Sequence, residues 1–127
     1  MSERFSAGTR EMVRALHQMP VEGPEGELHS HDYQIEVVIE SPELDESGMV
    51  VDLAVLGEAL KKLLASLEGR DLEAIRPEEA EAVTVEVFAR WIHERLVEVL
   101  PLSPEHEISV RVWESDSEFG GYSTRLP

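Results

Sequence analysis

The run Tyr33–Gln34–Ile35–Glu36–Val37–Val38–Ile39–Glu40 restricts the fold more than any other part of the chain. Tyr33, Ile35, Val37 and Ile39 alternate with Gln34, Glu36 and Glu40, a period of two that specifies a half-buried β-strand. His29 and His31 stand at positions i and i+2 where that strand begins, so both imidazoles project from one side. Side chains so placed can share a metal ion if another group closes the coordination sphere. They can equally be a pair of solvated or hydrogen-bonded histidines.

The rest of the chain is punctuated around this strand. Residues 3–16 carry Phe5, Met12, Val13, Ala15 and Leu16 in imperfect alternation and read as a first strand, with a short helix over Arg10–Leu16 as the competing reading. Pro20, Gly23, Pro24 and Gly26 make Gln18–Glu27 a loop. Ser41–Gly48 reads as a polar turn. Asp52 is suited to cap a helix in which Leu53, Leu56, Leu60, Leu63, Leu64 and Leu67 repeat at helical spacing, with Lys61 and Lys62 outward and Gly69 as the stop. The acidic stretch 70–82 reads as an exposed connector. Thr84 then caps a second helix, striped by Val85, Phe88, Ala89, Ile92, Leu96 and Val99 and ended by Pro101. After a turn over Pro101–His106, Ile108, Val110 and Val112 alternate with Ser109, Arg111 and Trp113. Gly120–Gly121 and Tyr122–Leu126 form the last strand of a hairpin. The order ββααββ predicts an α+β fold, a mostly antiparallel sheet with two helices on one face.

Charge narrows the partners. With 11 basic against 27 acidic residues the formal charge is −16, which opposes sequence-independent binding to nucleic acid or to an anionic membrane. It is read as a solubilising surface. The chain has no cysteine, so a transition-metal site must use histidine and carboxylate. Its 127 residues suit a single domain spanning 1–127. Neither a secretion signal at Met1–Ser6 nor a bilayer-length apolar run is evident. A cytoplasmic protein is expected.

Several short patterns then fall in one order: Ala15–Leu16–His17–Gln18–Met19–Pro20, Leu28–His29–Ser30–His31–Asp32–Tyr33, Gly48–Met49–Val50–Val51–Asp52, Thr84–Val85–Glu86, and Val112–Trp113–Glu114 with Tyr122. Over nearly its whole length the chain resembles 6-pyruvoyltetrahydropterin synthase and its bacterial relative, 6-carboxytetrahydropterin synthase of the queuosine pathway. The resemblance implies the tunnelling fold, the ββααββ unit already expected, assembled as a trimer or a hexamer of two stacked rings. It implies zinc held by His17, His29 and His31, with Ser30 in place of the usual glycine. It implies a pterin ring anchored by Glu114 and by Glu86 of the Thr84–Val85–Glu86 motif, since a carboxylate accepts two adjacent N–H groups of such an edge. His93 and His106 match nothing in that pattern and are expected at the surface.

Two parts of the family's proton-transfer apparatus are missing. Where the family has a cysteine before the histidine pair, this chain has Glu25, with Glu27 nearby. Where it has an Asp-His pair after the first helix, Leu67–Glu68–Gly69–Arg70–Asp71–Leu72 offers no histidine. The resemblance therefore implies a zinc-dependent lyase acting on dihydroneopterin, its triphosphate or a related pterin, with Glu25 as base and side-chain cleavage as the expected outcome. The alternatives are a catalytically silent pterin- or purine-like ligand binder on the same scaffold, and an assembly protein with structural zinc, which Glu114 and Glu86 disfavour.

Overall fold

The computed structural model describes residues 3–125; Leu126, expected at the end of the last strand, lies outside them. Four strands, β1 (Phe5–His17), β2 (His29–Ser41), β3 (Glu107–Trp113) and β4 (Phe119–Arg125), form one antiparallel sheet in the order β1-β2-β3-β4. Helices α1 (Leu53–Ala65) and α2 (Val85–Val99) pack on one face of it, α1 against β1 and α2 against β3 and β4. The alternation in the sequence decides which face. Tyr33, Ile35, Val37 and Ile39 are buried beneath the helices with Val13, Ile108, Val110 and Val112, each large aliphatic contributing about 1.5–3 kcal/mol of transfer free energy.

Both helices start where capping chemistry places them. The Asp52 carboxylate accepts from the backbone N–H groups of Ala54 and Val55 at 2.9 and 3.3 Å, and the Thr84 hydroxyl oxygen accepts from Val87 N–H at 3.2 Å. These bonds satisfy amides that have no partner inside the helix. Gly69, with φ of 74°, turns the chain after α1 in a conformation that favours glycine.

Several details differ from the sequence reading. Residues 10–16 are strand throughout, and β1 runs on to include His17. The stripe of α1 buries Leu56, Leu60 and Leu64, with Leu67 beyond its end, while Leu53 is exposed at the first turn; Val99, at the last turn of α2, is 66% exposed. Val99 borders an open groove between the two helices, with Val55, Leu63 and Leu96. The connector 70–82 is not wholly exposed. Leu72, in a 3-10 turn over Leu72–Ile75, is buried with Ala82. The chain just before that turn closes the edge of β1: Gly69 N–H donates to the Arg14 carbonyl at 2.7 Å and Leu16 N–H to the Arg70 carbonyl at 2.8 Å.

Two histidines expected at the surface are drawn inward, His106 partly and His93 almost fully. His106 donates from Nε2 to the Val50 carbonyl at 3.1 Å and accepts at Nδ1 from Ser103 N–H at 2.9 Å, tying the turn before β3 to the segment leading into α1. His93 is 4% exposed, edge-on to Tyr122 of β4 at 4.9 Å, with no hydrogen-bond partner on either ring nitrogen. Burial pulls its pKa down, only partly opposed by Glu94. Because the unfolded chain then takes up a proton at a higher pH than the folded one, this residue destabilises the fold as pH falls through and below about 6.5. A His93→Leu variant is expected to show a smaller loss of stability than the parent between pH of about 7.5 and 5, measured by denaturant midpoints. Parallel curves would contradict a buried neutral imidazole.

Candidate functional site

The end of the sheet where β1 and β3 finish and β2 and β4 begin gathers the polar side chains singled out in the sequence. The β1–β2 register pairs His17 with His29 and Ala15 with His31, and all three histidines fall on the helix-covered face. One nitrogen from each lies within 4.8 Å of the others. His29 is held from behind: its Nδ1–H donates to the Glu27 carbonyl at 2.6 Å. A carbonyl has no hydrogen to give, so Nδ1 of His29 is the donor, and in the neutral ring the lone pair sits on Nε2. That Nε2 faces Nε2 of His31 at 2.9 Å.

His17 is only 6% exposed, yet neither of its ring nitrogens has a hydrogen-bond partner. Burial lowers its pKa first, and the neighbouring His29 and His31 lower it further; Glu25 and the Val83 backbone pull weakly the other way without meeting hydrogen-bond geometry. A buried, unpartnered polar group is destabilising. Three imidazoles converging on one point, one of them otherwise orphaned, form a donor set that fits a divalent transition metal with a position left open.

Glu25 reaches the same point from the loop. Its Oε2 lies 3.3 Å from His29 Nε2, whereas Glu27 contributes its backbone carbonyl and keeps its side chain in solvent. The loop is pinned to the end of β1: Met19 N–H donates to the Glu25 carbonyl and Gln18 Nε2 to the Gly26 carbonyl, both at 2.8 Å. Any side chain at residue 26 would collide with the Val21 carbonyl, so glycine is needed for this close return.

Glu114 follows β3 one step past the Gln34–Trp113 pair, which brings it opposite Tyr33. The Tyr33 phenol is buried against Phe88 and next to His31, at ring distances of 5.5 and 5.3 Å. Its pKa is raised by that burial, and further by the carboxylates of Glu114 and Glu25. Tyr33 is thus close enough to both carboxylates to feel their charge. The sequence marked it as the first residue of an apolar stripe and the last of the histidine motif, and its place two residues after His31 puts it at the same end. Glu86, in the first turn of α2, lays its carboxyl over Gly120 of β4, where a Cβ would strike Val85 and Glu86. The sequence placed Gly120 in the last strand without giving it a role; its lack of a side chain admits that of Glu86. Thr84 caps α2 with its hydroxyl oxygen, leaving its O–H free to donate.

Against known proteins, residues 2–125 match the family described as 6-pyruvoyl tetrahydropterin synthase. A Pyrococcus furiosus protein named dihydroneopterin monophosphate aldolase is 33% identical over 106 residues, covering 84% of this chain and 85% of its own. A Pyrococcus abyssi protein, provisionally described as a 6-carboxy-5,6,7,8-tetrahydropterin synthase, is 34% identical over 121 residues, covering 78% of this chain and 76% of its own. Among solved structures, 6-pyruvoyl tetrahydropterin synthase of Caenorhabditis elegans superposes with a TM-score of 0.78 at 20% identity, covering 97% of each chain. A Plasmodium vivax 6-pyruvoyltetrahydropterin synthase, in a variant whose catalytic glutamate is replaced by cysteine, gives 0.80 at 16% identity, covering 98% of this chain and 100% of its own. These two show the shared fold.

Proposed function

The chain belongs to the 6-pyruvoyl tetrahydropterin synthase family, and we propose that it is a zinc-binding lyase that cleaves the side chain of dihydroneopterin or a phosphorylated form of it. The observation that carries this reading is the carboxylate of Glu25 at 3.3 Å from His29 Nε2, in a chain with no cysteine. A glutamate meets the three histidines where the synthases that make pyruvoyl or carboxy products use a thiol. Two similar proteins bear on it: one named an aldolase for dihydroneopterin monophosphate, and one whose glutamate is described as catalytic.

In this reading His17, His29 and His31 hold the zinc. When bound there, the ion polarises oxygens of the substrate's side chain. The Glu114 carboxylate accepts from adjacent N–H groups of the pterin ring, with Glu86 and Thr84 beside it, and Tyr33 closes the site between ring and histidines. Glu25 removes the proton from the second side-chain hydroxyl. The bond between the first and second side-chain carbons then breaks. Its electron pair moves onto the first carbon, conjugated with the ring, while the second carbon becomes an aldehyde. Return of the proton to the first carbon gives hydroxymethyl-dihydropterin.

One observation favours the silent-binder reading instead. Leu67–Leu72, the stretch that matches the region of the family's Asp-His pair, offers no histidine to carry a proton, and its last residue, Leu72, is an apolar side chain buried at 1% exposure. The two readings separate by product. Zinc-loaded protein incubated with 7,8-dihydroneopterin and with its triphosphate is expected to release hydroxymethyl-dihydropterin, resolved by chromatography, and Glu25→Gln is expected to abolish it. A pyruvoyl product would contradict the role given to Glu25. Binding without any product would favour the silent binder.

Three further expectations follow from the same reading. Protein purified without added metal should contain close to one zinc per chain by elemental analysis; full occupancy in a His29→Ala, His31→Ala double variant would overturn the ligand assignment. Glu114→Gln swaps an acceptor oxygen for a donor that faces a ring N–H, and should weaken pterin binding in calorimetry by about 1.5–3 kcal/mol, the range for a charge-assisted bond. The chain should sediment as a trimer or hexamer at micromolar concentration, because β1 and β4 are the outermost strands of the sheet and exposed edges pair readily with another chain. Raised salt should strengthen that association by screening the charge of −16 per chain; a clean monomer would count against it.

A further inference from the structure

Two electron-rich atoms face each other at the histidine cluster. With Nδ1–H of His29 donated to the Glu27 carbonyl at 2.6 Å, the neutral ring presents a lone pair at Nε2. The Oε2 atom of Glu25 stands 3.3 Å from that nitrogen, and Nε2 of His31 stands 2.9 Å from it. A carboxylate oxygen and an imidazole lone pair are both acceptors. Their close approach is favourable only with a positive charge between them, either a proton on Nε2 or a metal ion.

The surroundings favour the metal. A proton on His29 would answer Glu25 alone and leave His17 buried with both ring nitrogens unpartnered. An ion serves the whole cluster, whose donor nitrogens lie within 4.8 Å of one another. The spacing of Glu25 suits it as well, because donors bound tetrahedrally at about 2.0–2.1 Å are about 3.3 Å apart. Without cysteine in the chain, a fourth donor has to be an oxygen, and a carboxylate offsets one of the two charges that neutral imidazoles leave on a divalent ion. The loop fixes the backbone of Glu25 and leaves its carboxylate room to move. Pro24 and Gly26 flank it in a 3-10 turn, Met19 N–H donates to its carbonyl and Gln18 Nε2 to that of Gly26. Among the described residues its carboxylate pairs only with His29, and its side chain is 52% exposed.

We propose that Glu25 closes the metal's coordination sphere as a fourth ligand while the site holds no substrate, and that arriving substrate displaces it and so frees it to act as the base. The inference rests on the zinc and pterin reading above and adds a regulation to that site: the carboxylate is withheld from proton abstraction until there is a substrate to act on. The exchange replaces one oxygen donor by another and breaks no bond within the substrate. The pinned backbone keeps the freed carboxylate beside the histidines, where its proton transfer is needed.

The test is metal binding by the full chain, with zinc in chelator competition and with cobalt as a visible probe of the coordination sphere. Zinc should bind Glu25→Gln at least about tenfold more weakly than the parent, since even partners that only orient a ligand are worth about 10- to 100-fold in affinity. The cobalt absorption of the parent should shift when 7,8-dihydroneopterin is added. Glu25→Gln should differ from the parent before that addition and resemble it afterwards. Glu22→Gln, which removes the same charge from an exposed position of the same loop, should match the parent in both measurements. Unchanged zinc affinity and an unchanged cobalt spectrum in Glu25→Gln, the result expected of a plain ion pair with protonated His29, would overturn the inference and leave the pterin reading standing. A parent spectrum that stays constant while calorimetry shows the pterin bound would overturn the displacement. A parent that takes up neither ion would overturn the zinc reading and this inference together.

Discussion

The cross-strand pairing of His17 with His29 is the constraint from which the rest of the site follows. In an antiparallel ladder a slip of one residue turns every side chain to the opposite face. Such a slip between β1 and β2 would send His29 and His31 to the helix-free face while His17 stayed beneath the helices. The register is held by the same parity that builds the core, since Val13 pairs with Tyr33 and Ala15 with His31. Hydrophobic burial and the convergence of the three imidazoles are thus one geometric condition. The apolar alternation from Tyr33 to Ile39 enforces it at a distance from the site.

Much of this was legible in the residues because it depends on period and parity. The ββααββ order, the buried faces of β2 and β3, both helix caps and the common side of His29 and His31 all follow from local pattern. Features set by contacts distant in sequence were not legible. Nothing around His93 signals that Tyr122 of β4 will cover it, and a histidine among charged helix residues reads as exposed. The stretch 70–82 has no periodicity to mark Leu72 as buried, because it packs as a single turn against the edge of β1. The choice between Glu25 and Glu27 needed the loop itself: both lie close to His29 in sequence, but one presents its carboxylate and the other its carbonyl. Helix periodicity also carried the stripes too far, into Leu53 and Val99, which are exposed.

The distribution of charge ties the fold to its chemistry. A chain this acidic has to place its few cations with care, and the sheet puts Arg10, Arg14 and Arg111 on the face without helices, balanced by Glu36 and Asp32. The end of the sheet that gathers the histidines instead carries Glu25, Glu86 and Glu114, with Asp71 and Glu81 flanking. Such a surrounding favours a metal cation and ligand edges rich in N–H or O–H donors. The same excess of carboxylates that gives the chain its charge therefore shapes what the pocket accepts.

The hydrogen bonds from Gly69 to Arg14 and from Leu16 to Arg70 also act as a doorstop. They occupy the outward-facing backbone groups of β1 from residue 14 onward, so a strand arriving from outside can lie along the earlier part of β1 and no further. An edge open along its whole length allows many alignments of a newcomer, including the staggered ones that propagate into fibres. An edge blocked at one end offers a fixed terminus against which a guest strand must align. The segment after α1 thereby limits both how far a neighbour can slide and how near it can come to the histidines.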